Sequence, residues 1–323
     1  MNWKNVTRKA VLKAVSGVTA LAVVVGGSFV SADSAHASSS PGVNKAKLQV
    51  EVLFNARKVK TPGGKAQLKD GSVFVPIRAV SETLGAKVAY SGKEVTITKE
   101  SKKIQLTIGT KRVVVNGKAL TGIGASFISA GSTMVPIRVI SESFGEAVEW
   151  DSINQFVWIG SKDVPKAEDV LKPVPIKNRF DSYYKGREHL LVSFDNYEKV
   201  TLTEALVIKN ENLPLQIGNI TMYRINNTTN SKGEEYIQTI SNDRSSLGLT
   251  LMLLSSDYKA RLRGSVDPFS RLVGQYKMQY YQISVRTDSI TLNDKTWDKL
   301  KLEDINFLEL RIDFKYMIIY DKK

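Results

Sequence analysis

Gly71 to Tyr90 reads GSVFVPIRAVSETLGAKVAY, and Gly131 to Trp150 reads GSTMVPIRVISESFGEAVEW. The two stretches lie sixty residues apart and agree at ten of twenty positions, so one supersecondary unit is used twice. Each copy predicts the same local structure. An apolar run (Val73, Phe74, Val75; Met134, Val135) forms a short strand that passes into a helix at Pro76 or Pro136, because a first helical turn tolerates a residue without an N–H. Ile77, Val80 and Leu84, with Ile137, Ile140 and Phe144 in the second copy, recur at helical spacing and fall on one face. Gly85 and Gly145 stand where a helix ends in a left-handed residue. A strand then leads to Tyr90 or Trp150, a polar turn follows, and Val95-Thr96-Ile97 or Val157-Trp158-Ile159 closes the unit, the turn being two residues longer in the second copy.

Outward from the repeats, Lys47 to Val52 alternates with the two-residue period of a half-buried strand. Ile104 to Ile108 and Val113 to Val115 read as strands, with Asn116-Gly117 as a hairpin turn. Residues 163–176 mix Pro165, Pro173 and Pro175 with charges and read as a semi-rigid linker. Beyond them, stretches rich in Thr, Tyr, Val and Ile predict strands at His189–Phe194, Ala205–Ile208, Gly248–Leu254, Tyr276–Val285, Leu308–Phe314 and Tyr316–Tyr320. Turn clusters at Asn226–Gly233 and Ser241–Ser246 separate them, and Asp294–Leu302 is compatible with a helix. The expected fold class is α+β: a duplicated antiparallel β-sheet and helix domain at 47–162, then an antiparallel β-rich domain at 177–323.

The N-terminus reads as an address label. Residues 1–37 pair a basic start (Lys4, Arg8, Lys9, Lys13) with an apolar stretch from Ala14 to Val30 and the small residues of Ala35-His36-Ala37. This is the pattern of a secretory signal peptide cut between Ala37 and Ser38, leaving a polar leader at 38–46 and no stable membrane span. The chain has no cysteine, so it folds outside the cell without disulfides and lacks a lipoprotein-type attachment point. A secreted, cell-surface protein of a Gram-positive bacterium is the expectation.

Charge sharpens the question of partners. The formal total is +14. Residues 38–165 carry eighteen Lys/Arg against ten Asp/Glu, a net +8, while 166–323 carry twenty-four against twenty-one, a net +3. Outside a bacterium the anionic partners for such a surface are wall polymers and lipid headgroups. No zinc-finger spacing, RNP-type strand or Arg-rich recognition helix is present, so nucleic acid is not expected as a partner.

The pattern VPIR, then Ser-Glu, then Leu/Phe-Gly, a strand and an aromatic resembles the copper amine oxidase N-terminal-like domain, also called the stalk domain of secreted bacterial proteins, over Lys47 to Gly160. The resemblance implies a small α/β unit, with an antiparallel sheet and packed helices, that projects or positions other domains at the cell surface. It does not imply oxidase chemistry, because the copper and quinone site of the full oxidases is in a different domain.

The remaining chemistry-bearing residues give no reactive centre. Asp195-Asn196-Tyr197-Glu198 resembles the setting of the oxidase quinone tyrosine, yet past residue 37 the sole histidine is His189, and copper needs several imidazole or thiolate donors. His189 has no Gly-x-Ser-x-Gly elbow to serve. Asp195 with Glu198, or Glu303 with Asp304, could serve a glycosidase. Asp294, Asp298, Glu303 and Asp304 lack EF-hand spacing for calcium. Tyr183-Tyr184 and Tyr280-Tyr281 could line a carbohydrate platform, with at most one of each strand pair on a given surface. Arg78 with Glu82, and Arg138 with Glu142, are four apart on a helix and read as local ion pairs; Tyr90 and Trp150 read as packing residues. No catalytic, cofactor-binding or metal residue is assigned. The expected function is a non-catalytic surface protein presenting a β-rich binding domain, with anionic wall polymers or another surface protein as partner. A carboxylate-dependent glycan hydrolase and a self-assembling surface-layer or appendage protein are the two other readings.

Overall fold

The pairing of the two copies organises the first half of the molecule. In the computed structural model, which describes residue 44 and residues 46–121, 123–195, 197–246, 248–266 and 270–323, a hairpin of β1 (Glu51–Phe54) and β2 (Arg57–Lys58) precedes the first copy. The expected signal peptide and its cleavage point lie outside the described residues. The first copy then runs β3 (Gln67–Lys69), β4 (Ser72–Pro76), α1 (Ile77–Thr83), β5 (Lys87–Ser91) and β6 (Glu94–Lys99). After β7 (Lys102–Thr107) comes a second hairpin, β8 (Val113–Val115) and β9 (Lys118–Leu120), and the second copy: β10 (Phe127–Ser129), β11 (Ser132–Pro136), α2 (Ile137–Ser143), β12 (Val148–Asp151) and β13 (Phe156–Ile159).

β4 and β11 pair antiparallel, Val75 opposite Val135, Phe74 opposite Pro136 and Pro76 opposite Met134. Adding sixty to each residue number returns the same set of pairs, so the copies meet as the halves of a two-fold dimer do, through one self-complementary patch. Pro76 and Pro136 sit at the N-caps, Gly85 and Gly145 take φ of 71° and 93°, and Ile77, Val80, Leu84, Ile137, Ile140 and Phe144 are all buried in one core. The symmetry reaches further than the sequence comparison indicated. The β1–β2 turn, Asn55-Ala56, and the β8–β9 turn, Asn116-Gly117, both have two successive positive φ values, as the tight turns that match strand twist require. Each hairpin pairs beside the other copy: β1 runs parallel to β13, and β8 lies beyond β7, which pairs with β6. β7 has no counterpart and makes that sheet five-stranded (β5-β6-β7-β8-β9) against four for β12-β13-β1-β2.

The second half begins with α3 (Ala167–Val170) and β14 (Val174–Pro175). Its strands continue as β15 (Val192–Asp195), β16 (Glu198–Thr201), β17 (Glu204–Ile208), β18 (Leu215–Ile217), β19 (Ile220–Thr229), β20 (Glu235–Ser241), β21 (Thr250–Ser255), β22 (Ala260–Arg263), β23 (Arg271–Val273) and β24 (Tyr276–Gln282). α4 (Thr287–Thr291), β25 (Ile305–Arg311) and β26 (Met317–Asp321) complete it. A six-stranded sheet (β14-β17-β26-β25-β21-β22) and a five-stranded sheet (β18-β19-β20-β24-β23) share one core, to which Leu206, Leu251 and Leu310 contribute from the first and Leu215, Ile237 and Tyr281 from the second. The outer face of the six-stranded sheet is covered by Phe180, Tyr183 and Tyr184, and that of the five-stranded sheet meets Leu48 and Ile153 of the first half. The architecture is mostly antiparallel and β-rich, as expected, with β17 and β26 a parallel exception.

Several local expectations are corrected. The strand expected from Lys47 starts at Glu51, where β1 finds β13. Asn226 to Thr229 is strand and not turn: these polar residues pair with Gln238 to Glu235 of β20, and tertiary pairing overrides their turn preference. His189 lies in a short 3-10 turn (Glu188–Leu190), and Asp294–Leu302 forms no α-helix, holding a 3-10 turn at Trp297–Lys299. The proline-rich stretch read as a linker is anchored to the second half at several points. Ala167 is fully buried among Leu206 and Leu251, Ile176 is buried, and Gln216 N donates to Pro165 O at 2.9 Å.

The described residues belong to one compact unit, and Arg224 of β19 is the main polar tie between its halves. Its Nε donates to Asn154 O at 2.6 Å, its Nη2 to Gln49 O at 3.0 Å, and the same Nη2 lies 3.1 Å from Glu51. Burial lowers the Arg224 pKa against the raising pull of Glu51 and Asp151. Tyr276 donates its hydroxyl to Asp151 at 2.5 Å across the same junction.

Candidate functional site

The duplicated strand and helix leave a cleft in each copy. In the second copy it measures about 690 Å3 and is walled by Val73, Leu120, Ile137, Val148 and Trp150, with Arg138 and Glu142 paired at 3.6 Å on its rim. The equivalent residues of the first copy, Pro76, Ile77, Arg78 and Tyr90, border a smaller cleft of about 420 Å3, into which Ser132 reaches to donate to Gly63 O at 2.5 Å. A cleft that recurs at matched positions follows from the repeat geometry, which is a scaffold property. The shared role expected for the two aromatics is not kept: Trp150 packs against the core, whereas Tyr90 is 47% exposed. Likewise the helix ion pair forms between Arg138 and Glu142, and among the described residues Arg78 makes no such bridge.

One concentration of positive charge lies on the five-stranded sheet of the first half and its turns. Between Lys87 and Leu120 there are eight Lys/Arg (87, 93, 99, 102, 103, 111, 112, 118) against Glu94 and Glu100, a net +6 within a stretch whose surroundings, 38–165, total +8. Alternation places Val95, Ile97, Ile104 and Leu106 inward, and it turns Lys87, Thr98 and Lys103 outward in one cross-strand row and Thr96, Gln105 and Val114 in the next. Glu94 is occupied, accepting from Thr107 Oγ1 at 2.5 Å and lying 4.0 Å from Arg112. Lys87, Lys93, Lys103, Lys111 and Lys118 are exposed and have no carboxylate within bridging distance among the described residues. An outer face bearing Lys87, Lys103, Thr96 and Thr98, with exposed ammonium groups in the turns at its edges, suits an extended polyanion, where each contact is weak and the sum is salt-dependent.

The residues that sequence chemistry singled out are dispersed. His189 is exposed. Asp195 and Glu198 face each other across the β15–β16 hairpin, and Tyr197 at its tip has φ 68° with its ring in solvent. Glu303 is exposed in a 3-10 turn, and Asp304 accepts from Lys301 N at 2.8 Å. Asp298 is exposed, while Asp294 is buried against Arg261 at 2.6 Å. Burial alone would raise the Asp294 pKa, but the N–H and hydroxyl of Thr296 and the Arg261 guanidinium outweigh it and hold the group at about 2. Tyr183, Tyr184, Tyr280 and Tyr281 are all core residues, so no tyrosine platform exists at these positions. Among the described residues no three His, Cys, Asp or Glu side chains converge as metal ligands, and the donors present do not fit copper.

Sequence reasoning missed a buried ionic cluster. Arg261 and Arg263, alternate residues of β22, both reach Asp288 of α4, at 3.1 and 2.6 Å, with all three side chains almost fully enclosed. An Arg-x-Arg on a strand places both guanidinium groups on one face, and that was the available signal. Tyr184 donates to Glu309, whose pKa burial raises, in a second such contact.

No match was found to a curated protein or to a solved structure. Residues 53–159, which contain both copies of the repeat, match the family described as copper amine oxidase N-terminal domain, and this part of the chain is similar to that domain, the non-catalytic N-terminal part of copper amine oxidases.

Proposed function

We propose that the protein is a secreted, non-catalytic scaffold of the bacterial envelope. Its five-stranded sheet contacts anionic wall polymers, and its packed junction holds the β-rich second half in a fixed attitude for binding. The observation that carries this reading is the net +6 gathered on one sheet with its lysines unpaired. The N-terminal-domain match supports a positioning role, because the matched family is a domain without the oxidase's reactive centre.

The test is co-sedimentation with isolated Gram-positive walls across a salt series. Retention should fall steeply as the Debye length shortens from about 10 Å at 0.1 M toward about 3 Å at 1 M. The quadruple variant K93Q/K103Q/K111Q/K118Q should lose most retention at low salt while keeping its melting temperature. Binding indifferent to salt, or unchanged in the variant, would sink the proposal.

A further inference from the structure

The two clefts of the repeat differ in what their side chains are free to do. At the second, Arg138 is held by Glu142 and Trp150 packs against the core. At the first, Arg78 and Tyr90 stand at the matched positions, and both line the cleft. Arg78 is exposed, Glu82 lies beyond bridging distance of it, and its guanidinium has no acceptor among the described residues. The Tyr90 ring is half exposed, and its hydroxyl has no hydrogen-bond partner among the described residues. The recurrence of the cleft belongs to the repeat, but this freed pair belongs to the first copy alone.

The rest of the lining is set in place by the fold. Ser132 donates its hydroxyl to Gly63 O, and a β-carbon at Gly63 would stand 2.6 Å from that hydroxyl, so the two segments close on each other only because residue 63 is glycine. Pro62 lines the cleft beside them. Thr133 is a further lining residue, and Ile128, directly opposite it in register, is 65% exposed. Ile128 is the counterpart of Leu68, which walls the second cleft. Two large side chains with apolar surface in water, one free guanidinium fork and a serine hydroxyl therefore gather at one concavity of about 420 Å3.

We infer that the first-copy cleft binds a pyranose unit of a glycan. A tyrosine ring with a face in solvent offers an apolar plate to the C–H face of a sugar, while its hydroxyl stays wet. A guanidinium presents paired N–H donors that match vicinal hydroxyls or a ring carboxylate, and Ser132 Oγ keeps lone pairs to accept from a sugar hydroxyl. The volume lies within the range of small-ligand sites. A purely apolar ligand would leave the guanidinium and the serine unused, and a bare phosphate would leave Tyr90 and Ile128 unused. The site does not rest on the polyanion reading of the sheet, whose lysines are not among its lining.

Calorimetric titration of the purified protein with chitotetraose, cellotetraose and tetragalacturonate tests it. Saturable one-to-one binding of at least one tetramer is expected. Preference for the galacturonate identifies a carboxylate on Arg78, and preference for an uncharged tetramer identifies hydroxyl contacts. Y90A should weaken binding about tenfold or more, whereas Y90F should stay within about threefold of wild type, because the ring and not the hydroxyl makes the plate. R78Q should weaken binding several-fold with an unchanged melting temperature, and R138Q, at the matched position of the second cleft, should bind as wild type does. The quadruple lysine variant of the sheet should bind the uncharged tetramers as wild type does, even where it has lost retention on walls. No saturable binding of any tetramer, wild-type affinity in Y90A, or equal losses in R78Q and R138Q would overturn the assignment.

Discussion

The two copies of the repeat put the same strand to opposite uses. β6 and β13 occupy equivalent places, and Val95 and Ile97 in one, Val157 and Ile159 in the other, point into the shared core. The outward pair differs: Glu94 and Thr96 in the first copy, Phe156 and Trp158 in the second. Phe156 and Trp158 are buried against Leu53, Val164 and Tyr223, and the Arg224 guanidinium sits 4.3 Å from the Phe156 ring centroid. Two side chains therefore separate a sheet that faces water and carries charge from one that anchors the rest of the protein. Duplication supplied the fold twice, and substitution on one face divided the labour.

The strongest way to break this contrast is to erase it. Transplanting the first copy's pair onto the second, F156E with W158T, removes two buried aromatics, each costing about 3–5 kcal/mol when truncated in a core, and adds a buried charge. The second half should become protease-sensitive, and the denaturant midpoint should collapse. The reciprocal variant, E94F with T96W, should leave stability within about 0.5 kcal/mol yet cause concentration-dependent association through a new apolar patch, read by sedimentation velocity. Equal effects of the two exchanges on stability would refute the division of labour.

Next in size is R224A. It removes one of the two cations on Glu51, Lys58 remaining at 3.0 Å, and takes away the donor that reaches the carbonyls of Asn154 and Gln49 at a buried junction. Removing one member of a buried pair costs about 3–5 kcal/mol, against a few tenths for an exposed bridge. R112A, which faces Glu94 on the solvent side of the first copy, is the matched control and should change the melting temperature very little.

What the sequence revealed, and what it hid, follows the range of the forces involved. The helices, their proline entries and glycine exits were legible because they are decided within seven or eight residues. The inward residues were legible for the same reason. The exchange of hairpins between copies was not, since nothing local in β1 specifies β13 as its partner, 105 residues away by register. One signal was available: Phe156-Val157-Trp158-Ile159 has no polar residue on either face, which marks a strand covered on both sides. β19 was hidden by Asn226-Asn227-Thr228-Thr229, whose local preference is for turns. Of the candidate sites, the basic domain was visible as composition, but its concentration on one sheet needed the pairing of five strands.

A pH dependence separates the halves at the next level. The core around the repeats is apolar, whereas the second half holds buried carboxylates, Asp294 foremost, kept charged by the N–H and hydroxyl of Thr296 and by Arg261. Its folded pKa of about 2 lies below the usual carboxylate value near 3.9, so its stabilising effect is present above about pH 4 and disappears as pH falls through 2. Roughly 2 kcal/mol should be lost across that window, seen as a falling denaturant midpoint. D294N should lower stability at neutral pH and flatten the acid slope. A wild-type slope in D294N would show that other groups govern acid unfolding.

The smallest effect tests whether symmetry of sequence extends to energy. Arg138 lies 3.6 Å from Glu142 on an exposed helix face, while Arg78 at the matched position of α1 makes no such bridge. R138Q should cost at most about 0.5 kcal/mol at low salt and nothing measurable at 1 M, and R78Q nothing at either. Paired double-mutant cycles with E142Q and E82Q isolate the term from the loss of each charge alone. If both cycles return the same coupling, the helices are energetic as well as structural copies. The divergence between the repeats would then be confined to the outward faces of β6 and β13, where the second half is anchored.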